Sequence, residues 1–198
     1  MNYNNYLKKI KREHKETKLN QHSLVIWMTG LSGSGKTSIA TYLEQILFDK
    51  GYFTQIIDGD DIRDGINKDL GFSLEERWEN IRRAAEISKI LLNCGVITIC
   101  CFISPTNEIR NLAKKIVGKE NIIEVFVNAS IATCEKRDTK GLYSKARAKR
   151  VLDFTGISSV YEIPLTPQLT VDTENLSIEE SALKIMSYIE PLIRTKTK

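Results

Sequence analysis

The sequence is most constrained by a glycine-rich segment that directly follows a short apolar run. The run is Leu24 to Met28, and the segment Gly30-Leu31-Ser32-Gly33-Ser34-Gly35-Lys36-Thr37 matches the pattern Gly-x-x-x-x-Gly-Lys-Ser/Thr. Apolar residues at helical spacing come next, beginning with Ile39 and Leu43. The order strand, glycine-rich loop, helix is typical of a phosphate-binding loop. The segment therefore predicts a site for ATP or GTP.

Each part of this loop has a physical role in holding phosphate. The glycines let backbone N–H groups face phosphate oxygens, Lys36 adds positive charge near the β- and γ-phosphates, and Thr37 offers its hydroxyl to Mg²⁺. The helix that follows directs the positive end of its dipole at the same anion. We expect the nucleotide to contact the motif and the next serine: Gly30, Leu31, Ser32, Gly33, Ser34, Gly35, Lys36, Thr37 and Ser38.

Apolar segments beyond the loop alternate between strand and helix patterns. The predicted strands are 24–28, 52–57, 96–103, 122–127 and 169–171, and the predicted helices follow the loop and span 74–93, 108–117 and 178–192. Ser73 and Glu76 form a capping box before the 74–93 helix. The alternation predicts an α/β, P-loop kinase fold with a parallel five-stranded sheet and helices on both faces. We expect this domain to span 23–198, after a basic N-terminal extension, 1–22.

Composition excludes several classes of function. The 198 residues, 41% hydrophobic and 27% charged, predict one globular domain, and no apolar run approaches the roughly 18 residues that a membrane span requires. The net charge of +4 is modest and the basic residues gather near predicted phosphate sites, which favours small anionic ligands over nucleic acid. Without Cys-x-x-Cys spacing, four cysteines are predicted to be reduced thiols rather than metal ligands: Cys94, Cys100, Cys101 and Cys134.

The N-terminal residues leave two cellular locations open. Residues 1–23 lack the apolar core of a secretory signal. Glu13 and Glu16 argue against an organelle-targeting helix, which four other residues would favour: Tyr3, Tyr6, Leu7 and Ile10. We expect a cytoplasmic protein, with a mitochondrion-related organelle as the alternative.

Acidic and basic residues after the second predicted strand indicate an acceptor site. The carboxyl ends of parallel strands share one edge of a sheet, so residues 58–61 should lie beside the glycine-rich loop. Asp58 and Asp60 are two apart and can face the same side, where they can hold Mg²⁺ through water or accept a proton. Arg63 lies one helical turn after Asp60, and a carboxylate beside an arginine suits activation of a hydroxyl group on an anionic acceptor. The alternative is a turn with a helix cap, and Asp61 is the predicted cap.

Two further groups of basic and polar residues can surround phosphates. Arg77 and Asn80 share one face at the start of the long helix, where the alternative is a solvated surface. Residues 136–150 contain seven Lys or Arg and one Asp, which predicts a mobile cationic lid or, as the alternative, a solvated basic loop. Phe154 follows this segment, and the residues alone leave base stacking and core packing equally open.

Taken together, these segments resemble adenylyl-sulfate kinases. Besides the glycine-rich loop, the resemblance rests on six segments in family order: Asp58-Gly59-Asp60, Asn67-Lys68-Asp69-Leu70-Gly71-Phe72, Glu79-Asn80-Ile81-Arg82-Arg83, Phe102-Ile103-Ser104-Pro105, Lys140-Gly141-Leu142-Tyr143 and Phe154-Thr155-Gly156-Ile157. It implies transfer of the γ-phosphoryl group of ATP to the 3′-hydroxyl of adenosine 5′-phosphosulfate (APS), with Mg²⁺ as cofactor and 3′-phosphoadenylyl sulfate and ADP as products. It also implies a homodimer.

The resemblance further implies a role for individual residues. Lys36 and Asp60 are implied catalytic residues, Asp60 as the base or metal organiser near the 3′-hydroxyl. Ser104 matches a serine suggested as a phosphoserine intermediate, although direct in-line transfer needs none and a substrate contact explains its position. The implied substrate contacts are Arg63, Arg77 and Asn80 at the phosphosulfate, Phe72 and Phe154 on either side of the APS adenine, Ile103, Ser104 and Lys140 around them, and Arg137 beside the adenine of ATP.

Four residues depart from the family pattern. Asp61 and Asp64 replace the usual Asn and His, Thr106 replaces Tyr, and Asp153 replaces a common Gly. Added negative charge that faced the pocket would weaken binding of an anionic substrate.

Two other functions remain as alternatives. A P-loop kinase of another small nucleotide-like acceptor shares the fold and the loop, but Arg63, Phe72, Arg77 and Asn80 argue against it. A GTPase or a non-catalytic nucleotide-binding module is disfavoured, because the segment 67–70 lacks the final Asp of Asn-Lys-x-Asp and the catalytic residues are present.

Overall fold

The chain folds as alternating strands and helices. The computed structural model of the protein describes residues 9–195. The strands in this range are β1 Val25–Thr29, β2 Thr54–Asp58, β3 Ile97–Cys101, β4 Ile122–Asn128 and β5 Leu169–Asp172. The α-helices are α1 Arg12–Leu19, α2 Lys36–Asp49, α3 Gly59–Asp64, α4 Leu74–Asn93, α5 Asn107–Val117, α6 Ile131–Arg137, α7 Leu142–Arg147 and α8 Ile178–Ile193.

The five strands form one parallel sheet in the order β2-β3-β1-β4-β5. The central strand is β1, whose Met28 pairs with Cys101 of β3 and with Val125 of β4. The predicted α/β fold with a parallel five-stranded sheet is confirmed. Because all the strands point the same way, the loops that follow them emerge at one edge of the sheet.

Alternate residues of β1 enter two separate apolar cores, one on each face of the sheet. Ile26 and Met28 pack into the core formed with α2 and α8, whereas Val25 and Trp27 pack into the core formed with α4 and α5. All four side chains are at most 1% exposed. Burial on both faces explains why this strand is continuously apolar instead of alternating.

The predicted boundaries of the strands and long helices agree with the structure to within two residues. The capping box of Ser73 and Glu76 is present at the start of α4. Residues 59–61 form the first turn of the short helix α3, and its N-cap is Asp58. The prediction that Asp61 is the cap is wrong, because the Asp58 carboxylate already accepts the backbone N–H of Asp60.

The residues considered for a targeting helix are only partly described. Tyr3, Tyr6 and Leu7 lie outside the described residues, and Ile10 is 62% exposed. Over residues 9–195, no helix combines the length and apolar character needed to cross a bilayer.

The sequence patterns do not predict α1, because this helix docks through polar contacts. Glu16 is 7% exposed, and its Oε1 accepts hydrogen bonds from the backbone N–H and hydroxyl of Ser23, at 2.8 and 2.6 Å. Arg12 donates to Glu16 at 2.7 Å and to the side chain of Asn121 at 2.6 Å. A buried carboxylate with several donors thus attaches α1 to the sheet domain.

The side chain of Gln21, which follows α1, forms hydrogen bonds with the backbone of two other segments. Its side-chain amide donates to the carbonyls of Phe53 and Gly95, at 2.9 and 2.8 Å, and accepts from the N–H of Phe53 at 2.7 Å. The side chain is fully buried. Residues 12–21 are therefore part of the folded domain in this structure.

We predict that Gln21→Ala destabilises the protein by about 2 kcal/mol, because it leaves the N–H of Phe53 and the carbonyl of Gly95 without their partner. The matched control is Gln45→Ala, which removes the same amide from an exposed position on α2 and should change stability by less than about 0.5 kcal/mol. Urea unfolding followed by circular dichroism measures both values. Equal losses for the two variants would contradict the anchoring role of Gln21.

Candidate active site

The glycine-rich loop lies at the carboxyl end of β1, in close contact with β4. A Cβ atom on Gly30 would lie 2.5 Å from the carbonyl oxygen of Val127 and 2.8 Å from Oγ of Ser34. Gly35 is the N-cap of α2 and has a φ of 101°, in the left-handed region. Both positions therefore favour glycine, for steric and conformational reasons respectively. The backbone can then wrap with its N–H groups toward a phosphate.

Lys36 is the buried cation of the loop. The residue is 9% exposed, and its Nζ donates to the carbonyls of Gly30 and Leu31 at 2.9 and 2.8 Å. Burial lowers the pKa of Lys36, and the carboxylates of Asp58 and Asp60 oppose this effect. Because a buried ammonium group has lost most of its hydration, it gains strongly from a nearby anion. Lys36 is therefore suited to bind phosphate.

A chain of hydrogen bonds joins the loop to the end of β2. Thr37 Oγ1 donates to Oδ2 of Asp58 at 2.7 Å, and Oδ1 of Asp58 accepts the backbone N–H of Asp60 at 2.9 Å. Asp58 is 9% exposed, whereas the side chain of Asp60 is 65% exposed. Asp58 is thus a fixed anchor, and Asp60 is a carboxylate that ligands can reach.

The basic segment 136–150 contacts Asp60 through Lys140. Nζ of Lys140 forms an ion pair with Oδ2 of Asp60, and this hydrogen bond raises the pKa of Lys140. The segment contains the end of α6, a bend at Gly141 with a φ of 64°, and α7. Ion pairs between exposed side chains contribute at most about 1 kcal/mol. The contact is therefore weak enough to be exchanged for contacts with a ligand.

These residues line one cavity of about 1010 Å³. Every residue predicted for the site lines this cavity except Gly30 and Leu31. Leu31 instead packs in the apolar cluster that contains Tyr143 and Phe154, and Gly30 contacts β4. The structure thus brings the predicted nucleotide residues and the predicted acceptor residues to the same cavity.

Two arginines lie against the exposed ring of Phe72. The guanidinium carbons of Arg63 and Arg77 lie 4.3 and 5.5 Å from the ring centroid. Arg63 donates to the carbonyl of Gly71 at 2.8 Å, and Arg77 donates to the carbonyls of Phe72 and Asp153, at 2.8 and 2.6 Å. Burial lowers the pKa of both arginines, which nonetheless remain charged. Arg77 therefore connects the segment of Phe72 to that of Phe154.

Phe154 belongs both to the core and to the cavity wall. The residue is 8% exposed, and its ring meets Tyr143 edge-on with 4.9 Å between centroids. It also lines the cavity. Of the two possibilities that the sequence leaves open, core packing accounts for most of its surface, and the part that faces the cavity is available to a base.

Ser104 is held by neighbours that do not activate it. The residue is 2% exposed, and its Oγ accepts a hydrogen bond from the indole N–H of Trp27 at 3.2 Å. Between residues 9 and 195, no carboxylate or histidine hydrogen-bonds to this hydroxyl. A serine nucleophile needs an adjacent base. The geometry therefore favours a substrate contact over a phosphoserine intermediate.

The cavity also contains residues that sequence reasoning missed. They follow β5 and begin α8: Thr173, Leu176, Ser177, Ile178 and Ser181. The hydroxyl of Thr173 donates to the carbonyl of Ser34 at 3.0 Å and accepts from Nη1 of Arg137 at 3.1 Å. Thr173 comes just after a predicted parallel strand, and this position could have identified it as a site residue. In such sheets, ligands bind at the carboxyl ends of the strands.

The departures from the family pattern have different structural settings. Asp153 has a φ of 55°, in the left-handed region that glycine adopts freely. Asp64 lines the cavity, whereas Asp61 is not among the residues around it. Thr106 caps α5 by accepting the backbone N–H of Ile109 at 3.3 Å. Asp64 and Asp153 are therefore the two departures that place negative charge at the cavity.

Oxygen atoms suited to Mg²⁺ come from Thr37 and Asp58. Throughout the part of the chain that the structure describes, no group of three or more His, Cys, Asp or Glu side chains is placed to hold a metal ion. A hydroxyl and a carboxylate 2.7 Å apart fit Mg²⁺, which commonly takes one or two protein oxygens together with phosphate oxygens. These residues therefore fit a metal ion that binds with the nucleotide.

Comparison with known proteins places this geometry in a family. Residues 22–172 match the adenylylsulphate kinase family. The adenylyl-sulfate kinase of Bacteroides thetaiotaomicron is 53% identical over 185 residues, which are 93% of this chain and 92% of that protein.

Solved structures agree with the sequence match. An APS kinase of Mycobacterium tuberculosis in complex with AMPPNP and APS superimposes with a TM-score of 0.83 at 42% identity, covering 85% of this chain and 98% of that chain. A hexameric APS kinase from Thiobacillus denitrificans gives a TM-score of 0.67 at 25% identity, covering 91% of this chain and 31% of that chain. The predicted P-loop kinase fold is thereby confirmed. With sequence, fold and cavity in agreement, the chain belongs to the adenylyl-sulfate kinase family.

Proposed function

We propose that this chain carries out the adenylyl-sulfate kinase reaction by direct in-line transfer within the cavity described above. In this reaction the γ-phosphoryl group of ATP moves to the 3′-hydroxyl of APS, which gives 3′-phosphoadenylyl sulfate and ADP. The observation that carries the proposal is that the phosphate loop and Asp60 line one cavity and are joined through Thr37 and Asp58. Phosphoryl transfer depends mainly on positioning and charge neutralisation, and this arrangement supplies both.

Asp60 is the proposed base. Its Oδ2 is paired with Lys140, and in the described part of the chain its Oδ1 has no hydrogen-bond partner. The carboxylate can accept the proton of the 3′-hydroxyl while the oxygen of that hydroxyl bonds to the γ-phosphorus. The bond from the γ-phosphorus to the β,γ-bridging oxygen breaks, and ADP leaves.

Lys36, Thr37 and Asp58 are proposed to hold the phosphates and Mg²⁺. Lys36 balances negative charge on the β- and γ-phosphates, while Thr37 and Asp58 supply oxygens to the cation. When bound, Mg²⁺ draws charge from the phosphate oxygens and favours the leaving of ADP. Arg137, which already contacts the loop after β5, is the proposed neighbour of the ATP adenine.

Arg63, Arg77 and Asn80 are proposed to form the phosphosulfate end of the acceptor site. Each lines the cavity, and both arginines remain charged in partly desolvated positions. Phe72 and Phe154 are proposed to lie on either side of the APS adenine, and Ile103, Ser104 and Lys140 to complete the pocket. The exposed Asp60–Lys140 pair and the bend at Gly141 support a lid made of residues 136–150 that moves when substrates bind.

A homodimer and a cytoplasmic location are proposed as well. Val160 and Ile163, which line a second cavity of about 500 Å³, and Leu165, nearby in the sequence, are 70, 66 and 81% exposed, and exposed apolar side chains favour contact with another protein surface. Light scattering after gel filtration gives the mass of the assembly.

The free cysteines in the structure, three of them buried, fit a reducing compartment.

The first prediction concerns the acceptor. Purified protein with Mg²⁺-ATP should convert APS to 3′-phosphoadenylyl sulfate with an equal amount of ADP, whereas adenosine 5′-monophosphate in a parallel reaction should give no comparable turnover, because only APS offers the phosphosulfate to Arg63 and Arg77. Anion-exchange chromatography separates the products. Turnover of other hydroxyl acceptors in preference to APS would contradict the proposed function.

The second prediction concerns the base. Asp60→Asn should lower kcat with APS by about 10²- to 10⁴-fold, because the amide cannot accept the proton, while calorimetry should show little change in Mg²⁺-ATP affinity. Asp61→Asn is the matched control, since it removes the same charge from the adjacent position outside the cavity and should leave kcat nearly unchanged. Equal effects of the two substitutions would rule out Asp60 as the base.

The third prediction concerns the phosphate loop. Gly30→Ala should abolish measurable Mg²⁺-ATP binding, because the added Cβ would collide with the carbonyl of Val127 and displace the loop. Gly51→Ala is the control: its φ of 85° makes alanine strained, but no atom lies within 4 Å of the added Cβ. That variant should lose roughly 1 kcal/mol of stability and retain ATP affinity. Retention of normal ATP affinity by folded Gly30→Ala would refute this account of the loop.

A further inference from the structure

A buried ion-pair cluster lies beneath the acceptor side of the cavity. The side chains of Arg110 on α5 and Glu124 on β4 are 2 and 3% exposed, and Arg110 Nε lies 3.2 Å from Glu124 Oε1. Lys114 reaches the other carboxylate oxygen at 2.6 Å. None of the three lines the cavity. Burying charges is costly even when they are paired, so this cluster needs an explanation beyond stability.

The two Nη nitrogens of Arg110 donate to two backbone carbonyls and to one side chain. Nη1 donates to the carbonyl of Ser104 at 2.7 Å, and Nη2 donates to the carbonyl of Glu162 at 2.7 Å and to the side chain of Asn107 at 2.8 Å. The first carbonyl belongs to the loop after β3, which lines the cavity at 103–105. The second belongs to Glu162, in the segment that continues from Phe154 and Thr155, the last residues of this segment that line the cavity. One guanidinium group therefore joins the Ser104 loop, a wall of the acceptor site, to the segment that continues from another wall.

The backbone that Arg110 holds at Ser104 is strained. Ser104 has a φ of 38°, in the left-handed region that residues other than glycine rarely adopt. Such conformations cost on the order of 1–3 kcal/mol and persist only when surrounding contacts fix them. The contacts here include the Arg110 hydrogen bond and a 2.7 Å hydrogen bond from the Thr29 hydroxyl to the carbonyl of Ile103. Loss of Arg110 would remove one of these restraints.

Further contacts connect the same two segments. The backbone N–H of Glu162 donates to the carbonyl of Pro105 at 2.8 Å, and the Glu162 carboxylate accepts the N–H of Asn107 at 2.7 Å. The ring of Tyr161 lies 5.8 Å from the Arg110 guanidinium, and its hydroxyl lies 3.1 Å from Oγ1 of Thr29. Arg110 is the buried centre of this set, because it donates to both segments and its guanidinium lies near the ring of Tyr161.

We propose that Arg110, paired in charge with Glu124, is a positioning residue that fixes the loop of Ser104 relative to the segment that follows Phe154 and so aligns APS for transfer. The inference rests on the proposed acceptor site. Arg110 touches no substrate, and its effect passes through the two carbonyls. The position requires an arginine because its planar guanidinium group has several nitrogens. One nitrogen can lie beside Glu124 while the other two donate to the two carbonyls, which a single ammonium group cannot do.

The test uses two variants of the full-length protein. Arg110→Lys keeps a cation beside Glu124 but cannot reach both carbonyls. The double variant Arg110→Met with Glu124→Met removes the two most buried charges of the cluster together and leaves the more exposed Lys114, and replacing a buried ion pair by apolar residues is often neutral for folding. Each should reduce kcat/KM for APS by about 10- to 100-fold, because small misplacements of reacting groups have effects of this size. The affinity for Mg²⁺-ATP should stay within about two-fold, since the phosphate loop is not held by Arg110.

The control is Lys115→Met on the exposed face of α5, which should leave all these quantities unchanged. A wild-type protein that turns over APS, together with variants of unchanged kcat/KM, would overturn the inference alone. A wild-type protein without APS turnover would overturn the proposed function and the inference with it. Equal losses in APS and Mg²⁺-ATP binding would show a general structural defect and also contradict it. If the double variant does not fold, Arg110→Lys decides between these outcomes.

Discussion

The hydrogen bond from Thr37 to Asp58 is the interaction on which the geometry of the site depends. Thr37 lies in the first turn of α2, and Asp58 ends β2 and caps α3. In the sheet order β2-β3-β1, β3 separates β2 from β1, the strand that leads through the glycine-rich loop to α2. The bond therefore crosses the end of β3, and the loop containing Ser104 emerges between the phosphate loop and the acceptor carboxylates. A parallel sheet with this strand order brings three loops together with no need for a long connection.

The cations of the cavity are already bound to protein oxygens. Lys36 donates to carbonyls of its own loop, Arg63 and Arg77 donate to carbonyls near Phe72, and Lys140 pairs with Asp60. The contacts of Lys36, Arg63 and Arg77 fix where positive charge lies before any anion binds, whereas the exposed Lys140–Asp60 pair can be exchanged. Burial lowers the pKa of Lys36, Arg63 and Arg77, which means that their charged forms have lost hydration. An anionic substrate can therefore interact with preoriented, partly desolvated charges, a condition that favours phosphoryl transfer.

Patterns among neighbouring residues were sufficient to predict the sheet and the phosphate loop. The apolar runs identified the strands and long helices, and the capping box of Ser73 identified the start of α4. Both signals depend only on residues that are close in the sequence. The cap of α3 could not be assigned in this way. Asp58 and Asp61 are equally good capping residues, and the choice depends on where β2 ends. Helix α1 was missed because its buried residue, Glu16, is polar and depends on Ser23 and Arg12 for its burial.

Contacts between distant parts of the chain could not be predicted from patterns among neighbouring residues. The sequence places Lys140 in a basic segment but gives no sign that it pairs with Asp60, and it places Arg77 on a helix face but not against the carbonyl of Asp153. The resemblance to a family named both residues as substrate contacts, yet the structure adds that they also hold the walls of the cavity. The Arg110–Glu124 pair carried no sequence signal at all, because its role depends on burial and on backbone acceptors.

The central claim is that both substrates meet in one cavity and that the phosphoryl group passes directly between them. The most direct test is the stereochemical course of the reaction, followed with ATP made chiral at its γ-phosphorus by oxygen isotopes and with APS as acceptor. A single in-line transfer inverts the configuration at phosphorus, and inversion is the result that the geometry around Asp60 and Ser104 predicts. Net retention would require two successive transfers through an enzyme-bound phosphoryl group, and it would contradict direct transfer in this cavity.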